Sequence, residues 1–259
     1  MNYGIQIAAS GALTNLYRTD VLANNLANLN TTGFKPDFTF TRQRDPARVE
    51  DGLWDLPSNE LLERLGAGVH MAPNTIDFAQ GDLSFTGNPL DLAIQGEGFF
   101  ALRSAADGDA AGVVLTRDGR MTRDSTGRLV NAASGLPVLS IRNRPITLDP
   151  SFPATIDNDG TIRQAGSEVD RIQLIDLDDR DLLKKHGSNS FAISNSALGQ
   201  SYPASGQIKQ EMLEGSAVNP IAAMMGVQAA ARSVGTNFTM ISYQDQMMDR
   251  AINTFARIG

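Results

Sequence analysis

Apolar and small residues recur at alternating steps of four and three at both ends of the chain, and this repeat restricts the fold more than anything between. The first series is Ile5, Ala9, Ala12, Leu16, Thr19, Ala23 and Leu26, the a/d spacing that lines one stripe of an α-helix. Asn28, Asn30 and Gly33 can take the left-handed backbone that ends a helix, and Pro36 prevents its resumption. The second series is Met224, Val227, Ala231, Val234, Phe238, Ile241, Asp245, Met248, Ile252 and Phe255, interrupted only at Asp245. Asn219 is a favoured N-cap, and Pro220 at the first helical position gives up only an orphan N–H, so a helix is predicted over residues 220 to nearly 258.

The stripes are complementary. The first offers Ala and Thr, the second Met, Val, Phe and Ile. Burying one large apolar side chain contributes roughly 1.5–3 kcal/mol, so leaving the second stripe in water forfeits on the order of 10 kcal/mol. Isolated helices are marginal, and the two ends are expected to be poorly ordered in a free monomer and to fold against neighbouring copies. Gly226 and Gly235 are expected to permit close backbone approach, each at about 1 kcal/mol of helix propensity.

Between the ends, short β-prone runs alternate with turn residues. Residues 90–102 read as a strand pair around Gly96 and Gly98. Further strands are predicted at 113–116, 121–123, 128–131, 137–141, 145–148, 154–156, 161–164, 168–176 and 191–194. Residues 42–66, with Pro46, Pro57 and Trp54, have no sustained period and read as a long excursion. The expected class is α+β, with N- and C-terminal helices pairing as a coiled-coil-like polymerisation domain and an all-β domain inserted. Its expected divisions are 1–35 (first half of the helical core), 36–80 (connector), 81–205 (β-rich domain) and 206–259 (linker and second helical half).

Several function classes are disfavoured. A net charge of -7 has no footprint for nucleic acid or an anionic membrane. The absence of cysteine excludes disulfides, thiolate metal sites and a cysteine nucleophile. No apolar run approaches the roughly 20 residues of a membrane span, and no Lys or Arg precedes Arg18 to make a basic leader. Gly96-Glu97-Gly98-Phe99-Phe100-Ala101 formally fits a dinucleotide fingerprint, but that motif must open a helix and this one continues as strand. Asp176, Asp178, Asp179 and Asp181 lack the glycine and terminal Glu of a calcium loop, and Asp157-Asn158-Asp159-Gly160 reads as a hairpin turn; both clusters are expected at the solvated surface. His70 and His186 sit in no zinc spacing and are expected to be exposed. The glycosylation-like triplets at Asn30 and Asn237 are assigned no modification. No catalytic residue, cofactor or metal is expected.

The run Ala23-Asn24-Asn25-Leu26-Ala27-Asn28-Leu29-Asn30-Thr31-Thr32-Gly33-Phe34-Lys35 closely resembles the N-terminal signature of bacterial flagellar rod and hook proteins. Three further stretches are similar to the same family: Asn88 to Ile94 with Gly96 to Phe100; Thr116-Arg117-Asp118-Gly119-Arg120 with Asp124 and Gly127 to Val130; and Gly206 to Ile208 with Leu213-Glu214-Gly215 through Pro220. The resemblance spans essentially the whole chain. It implies a structural rather than enzymatic subunit of the basal-body rod, exported by the flagellar apparatus without a cleaved leader and crossing the periplasm. The implied partners are copies of itself and other axial proteins, with no nucleic acid, membrane insertion or small-molecule substrate. Pro220 to Met225 and Ala230-Ala231-Arg232 look closer to the proximal-rod type; a distal-rod or hook-type subunit is the alternative. A soluble adaptor that holds a partner with its amphipathic ends is the rival from another class. The amides of Asn24, Asn25 and Asn28 are open to two readings, capping of a helix end or bridging between subunits.

Overall fold

A computed structural model describes residues 3–50, 52, 66–104, 112–193 and 198–255. The chain is α+β, with one long helix towards each end and a β-rich middle. It forms two compact units, the first comprising Met1–Ala27, Asp37–Ile76 and Asn219–Gly259, the second Asn28–Pro36 and Asp77–Val218.

The first unit is built on α1 (Tyr3–Ala27). A ribbon follows: β1 (Asp37–Phe38), β2 (Thr41–Gln43), the short helix α2 (Ala47–Glu50), β3 (Val69–Met71) and β4 (Thr75–Ile76). β1 pairs with β4 and β2 with β3, both antiparallel. Polar side chains fasten the ribbon to α1, because Ser10 Oγ accepts from the Val69 amide at 3.2 Å and Asn74 Nδ2 donates to the Tyr17 hydroxyl at 2.8 Å. The unit closes with α3 (Pro220–Phe255). Its start is the one predicted, since Asn219 Oδ1 accepts the Ala222 amide at 3.0 Å and the Asn219 carbonyl accepts the Ala223 amide. Trp54 and Pro57 of the excursion lie outside the described residues, as does 256–258.

The second unit holds β5 (Leu83–Phe85), β6 (Leu92–Gln95), β7 (Phe99–Arg103), β8 (Val113–Thr116), β9 (Met121–Arg123) and β10 (Leu129–Asn131). It continues through β11 (Ala154–Ile156), β12 (Thr161–Gln164), β13 (Ser167–Arg171), β14 (Leu174–Leu177), β15 (Lys184–Lys185) and β16 (Ser190–Ala192). It ends with β17 (Ser201–Pro203), β18 (Gln207–Gln210) and β19 (Met212–Glu214). The main sheet runs β15-β16-β8-β7-β14-β17, antiparallel throughout. Leu92, Ile94, Phe100, Leu102, Leu129, Ile146 and Ile208 belong to one buried core. Phe99 points elsewhere, into edge-to-face contacts with Phe78 and Phe191 at centroid distances of 5.4 and 5.8 Å. A strand buried on both faces explains why 99–102 reads as an unbroken apolar run.

Several local expectations need correction, among them the strands at 137–141 and 145–148, which form only isolated bridges. Strands form on either side of Gly96 and Gly98, but they do not pair with each other; β6 pairs with β18 and β7 with β8 and β14. The glycines, at φ 99° and 116°, redirect the chain between two sheets. The predicted strand 168–176 is two strands, β13 and β14, parted where Ile172 bonds to the Gly160 carbonyl. Asp176 is fully buried rather than solvated, held bidentately by Arg180 at 3.1 and 2.7 Å. The hairpin turn at Asp157–Gly160 forms as predicted, with Gly160 at φ 87°, and His70 and His186 are exposed. Residues 207–214, expected as linker, carry β18 and β19.

Gly119 marks the tightest approach in this unit, because a methyl there would stand 1.5 Å from the Leu92 carbonyl oxygen. The Leu92 amide also donates to the Gly119 carbonyl at 2.9 Å, so the two backbones cannot separate without breaking that bond. Gly119→Ala is expected to destabilise the unit by about 1–3 kcal/mol, read as a lower urea midpoint at unchanged m.

Candidate functional site

α1 and α3 pack against each other within the first unit, running in opposite directions. Gly4 faces Gln244, Gly11 faces Asn237, and Gly226 faces Leu22. The less exposed line of α3 is Ala223, Val227, Ala230, Val234, Asn237, Ile241 and Gln244, a heptad series. It shares Val227, Val234 and Ile241 with the stripe read from sequence, and these are half-buried. Met224, Ala231, Phe238, Met248 and Ile252 of that stripe are exposed, and the Phe255 side chain lies outside what is described. On α1, Ala12 is buried, Ile5, Ala9, Thr19 and Leu26 are half-buried, and Leu16 and Ala23 are exposed. Neither glycine shows the expected close backbone approach: a methyl on Gly226 would meet only the Leu22 side chain, at 3.3 Å, and one on Gly235, on the exposed side, would meet nothing within 4 Å.

α3 therefore carries two apolar lines, of which its own chain covers one. Phe238 is 54% exposed, Ile252 63% and Met247 61%, and Ile221, Met225 and Tyr243 add to the uncovered surface. α1 contributes exposed Leu13 and Tyr17. These exposed apolar residues lie on more than one side of α3, and the row from Met224 through Phe238 to Ile252 is the one that keeps heptad spacing along the helix.

The signature segment after α1 is resolved residue by residue. Asn25 is buried, donating to the Asp37 carbonyl at 2.9 Å and accepting the Asp37 amide at 3.1 Å, which ties the helix end to β1. Asn28 Oδ1 accepts the Thr31 hydroxyl at 3.1 Å, while Asn24 and Asn30 are exposed. The remaining residues are clasped inside the second unit. The Thr32 carbonyl accepts Asn189 Nδ2 at 2.5 Å, and the Phe34 ring lies under Lys185 Nζ at 4.4 Å. Gly33, at φ 66°, donates to the Glu214 carbonyl at 2.7 Å, and a methyl there would stand 2.5 Å from the Arg117 carbonyl carbon.

Lys35, fully buried, ends the segment on Glu214 Oε1 at 2.5 Å and the Ala79 carbonyl at 2.7 Å. Glu214 also accepts Arg117 Nη1 at 3.2 Å and the Gly81 amide at 3.0 Å. Burial lowers the pKa of both Lys35 and Arg117, and Glu214 opposes that shift in each. Glu214 and Arg117 lie within the family-like motifs, but nothing in their sequence context signals that they pair. A lone acid in Leu213-Glu214-Gly215 has no partner visible in sequence, since Lys35 and Arg117 are distant along the chain.

Among the described residues, no group of three His, Asp or Glu side chains is placed to hold a metal. A groove of about 510 Å³ in the second unit is bordered by Asp159, Arg171 and Gln207. Arg171 is engaged there, donating from Nε to the Asp159 carbonyl at 2.8 Å. An α+β chain with long helices whose outer faces are apolar has the anatomy of a structural subunit.

Family models agree with that anatomy. Residues 5–35 match "Flagella basal body rod protein", 93–164 match "Flagellar hook protein FlgE/F/G D1 domain", and 209–254 match "Flagellar basal body rod FlgEFG protein C-terminal". The chain is similar to the flagellar basal-body rod protein FlgF of Caulobacter vibrioides, at 36% identity over 90% of this chain and 91% of that one. It is also similar to FlgF of Escherichia coli, at 29% over 97% of each, and to the rod protein FlgG of Agrobacterium fabrum, at 29% over 94% of this chain and 95% of that one. The chain belongs to the flagellar basal-body rod protein family, as a structural subunit of the rod.

Proposed function

We propose that this chain polymerises helically in the proximal rod of the flagellar basal body, where it crosses the periplasm and transmits torque, with α1 and α3 as its subunit-packing elements. The observation that carries this reading is the apolar line of α3 left uncovered by its own chain, from Met224 through Phe238 to Ile252. Apolar surface on that scale is stabilised when it leaves water, and in this reading the helices of neighbouring axial subunits cover it. The half-buried positions Val227, Val234 and Ile241 hold α3 to α1 and so aim the outer line. The proximal position is supported by the run Pro220 to Met225 and by Ala230-Ala231-Arg232, which resemble that type. Export by the flagellar secretion apparatus completes the proposal.

Electron microscopy of basal bodies from cells making only a chain without residues 219–259 tests it. A missing or shortened rod is expected. Full-length rods and hooks would overturn the assignment, and a discrete soluble complex with no polymer would favour the adaptor reading.

A further inference from the structure

We infer that two amide–glycine pairs, Asn237 over Gly11 and Gln244 over Gly4, set the register of the two terminal helices. This is a property of the single chain and does not depend on the rod assignment. The apolar part of the line that packs on α1 is nearly blind to sliding, because Val227, Val234 and Ile241 repeat at one-heptad intervals. Moving α3 by a heptad along α1 replaces each apolar residue by another and leaves most of the burial in place. Apolar heptads specify that helices pair but not where they stop.

The polar positions lack this degeneracy. Asn237 and Gln244 are also one heptad apart, and they face glycines with the same separation on α1. A methyl on Gly4 would stand 2.3 Å from Gln244 Nε2, and one on Gly11 would stand 3.1 Å from Asn237 Nδ2, so each amide occupies the space its glycine vacates. A heptad slip in one direction sets Gln244 over Gly11 but drives Asn237 onto Arg18; in the other it sets Asn237 over Gly4 and returns Gly11 to Ala230. Only the observed register seats both amides. A second observation points to specificity rather than stability at Gln244: among the described residues its Oε1 is buried without a hydrogen-bond partner. An apolar residue there would avoid that desolvation cost, and single polar residues in helical seams serve register in this way.

The chain contains no cysteine, so Tyr17→Cys with Met248→Cys gives a clean nitroxide pair for pulsed electron-spin distance measurement on the monomer. With α1 and α3 packed together within one chain rather than waiting on neighbouring copies, the parent is expected to show one narrow distance. Asn237→Leu with Gln244→Leu is expected to add a second population displaced by about 10 Å, since a heptad rises 1.5 Å per residue, with helix content by circular dichroism retained. Asn237→Ala with Gln244→Ala is the alternative should the larger side chains prevent folding. A single unshifted distance in both amide variants would overturn the inference, as would a parent distribution already as broad as theirs.

Discussion

Glu214→Ala is expected to destabilise the β unit by about 3–5 kcal/mol, the usual cost of leaving a buried charge without its partner. The loss falls at the upper end of that range because one carboxylate serves two cations, Lys35 and Arg117, and also takes the Gly81 amide. Neither cation can reach water without moving, as their side chains are 0% and 3% exposed. The sign of the pH dependence follows from Lys35. Burial holds its pKa below 10.5 and Glu214 pulls it back up, so removing Glu214 lowers it further. Between that folded pKa and the unfolded value near 10.5 the native state binds fewer protons, and stability rises with pH. The deficit of Glu214→Ala should therefore shrink between pH 7 and 9.5. It should not vanish, because Arg117 stays charged. Urea titrations of parent and variant at both pH values measure this; a loss under 1 kcal/mol at pH 7, or a deficit that grows with pH, would show that the triad contributes little. Replacing Lys35, Glu214 and Arg117 together by apolar residues of similar volume should recover much of the stability.

The triad also shows where sequence reading stops. Helices at both ends were readable from period and capping residues, because an N-cap such as Asn219 and a heptad repeat act over a few residues. Strands with tight turns, such as 121–123 and 154–156, were found to the residue for the same reason. What could not be read was which strand pairs with which. Nothing local to Leu92–Gln95 indicates that its partner is Gln207–Gln210, so a segment that resembles a linker proved to be an edge of the β unit. The α3 stripe legible in sequence is only partly the line its own chain covers: a 36-residue helix with apolar residues on more than one face supports several lines, and periodicity does not say which of them the chain itself will cover. Asn25 is a further case, since its two bonds to Asp37 depend on where the chain after Pro36 returns.

Under the proposed assembly the exposed line of α3 serves packing between subunits rather than folding, and the second large effect is expected at Phe238 and Ile252. Were the stripe read from sequence the intramolecular one, Phe238→Ser would open a cavity and cost the monomer roughly 3–5 kcal/mol. With Phe238 and Ile252 exposed in the folded chain, Phe238→Ser with Ile252→Ser should leave the monomer's unfolding within about 0.5 kcal/mol per site. The loss should appear on polymerisation, where each side chain forfeits about 1.5–3 kcal/mol of burial. Two sites then weaken each subunit addition by roughly 10²- to 10⁴-fold, multiplied along a filament in which every subunit carries the change. Val234→Ala, on the half-buried line, should behave oppositely, weakening the α1–α3 pair in the isolated chain. Thermal unfolding of the purified chains and rod completeness in basal bodies read the two effects separately. Normal rods built from the Phe238 and Ile252 variant would remove this face from the interface, and a large fall in monomer stability would place these residues in the chain's own core.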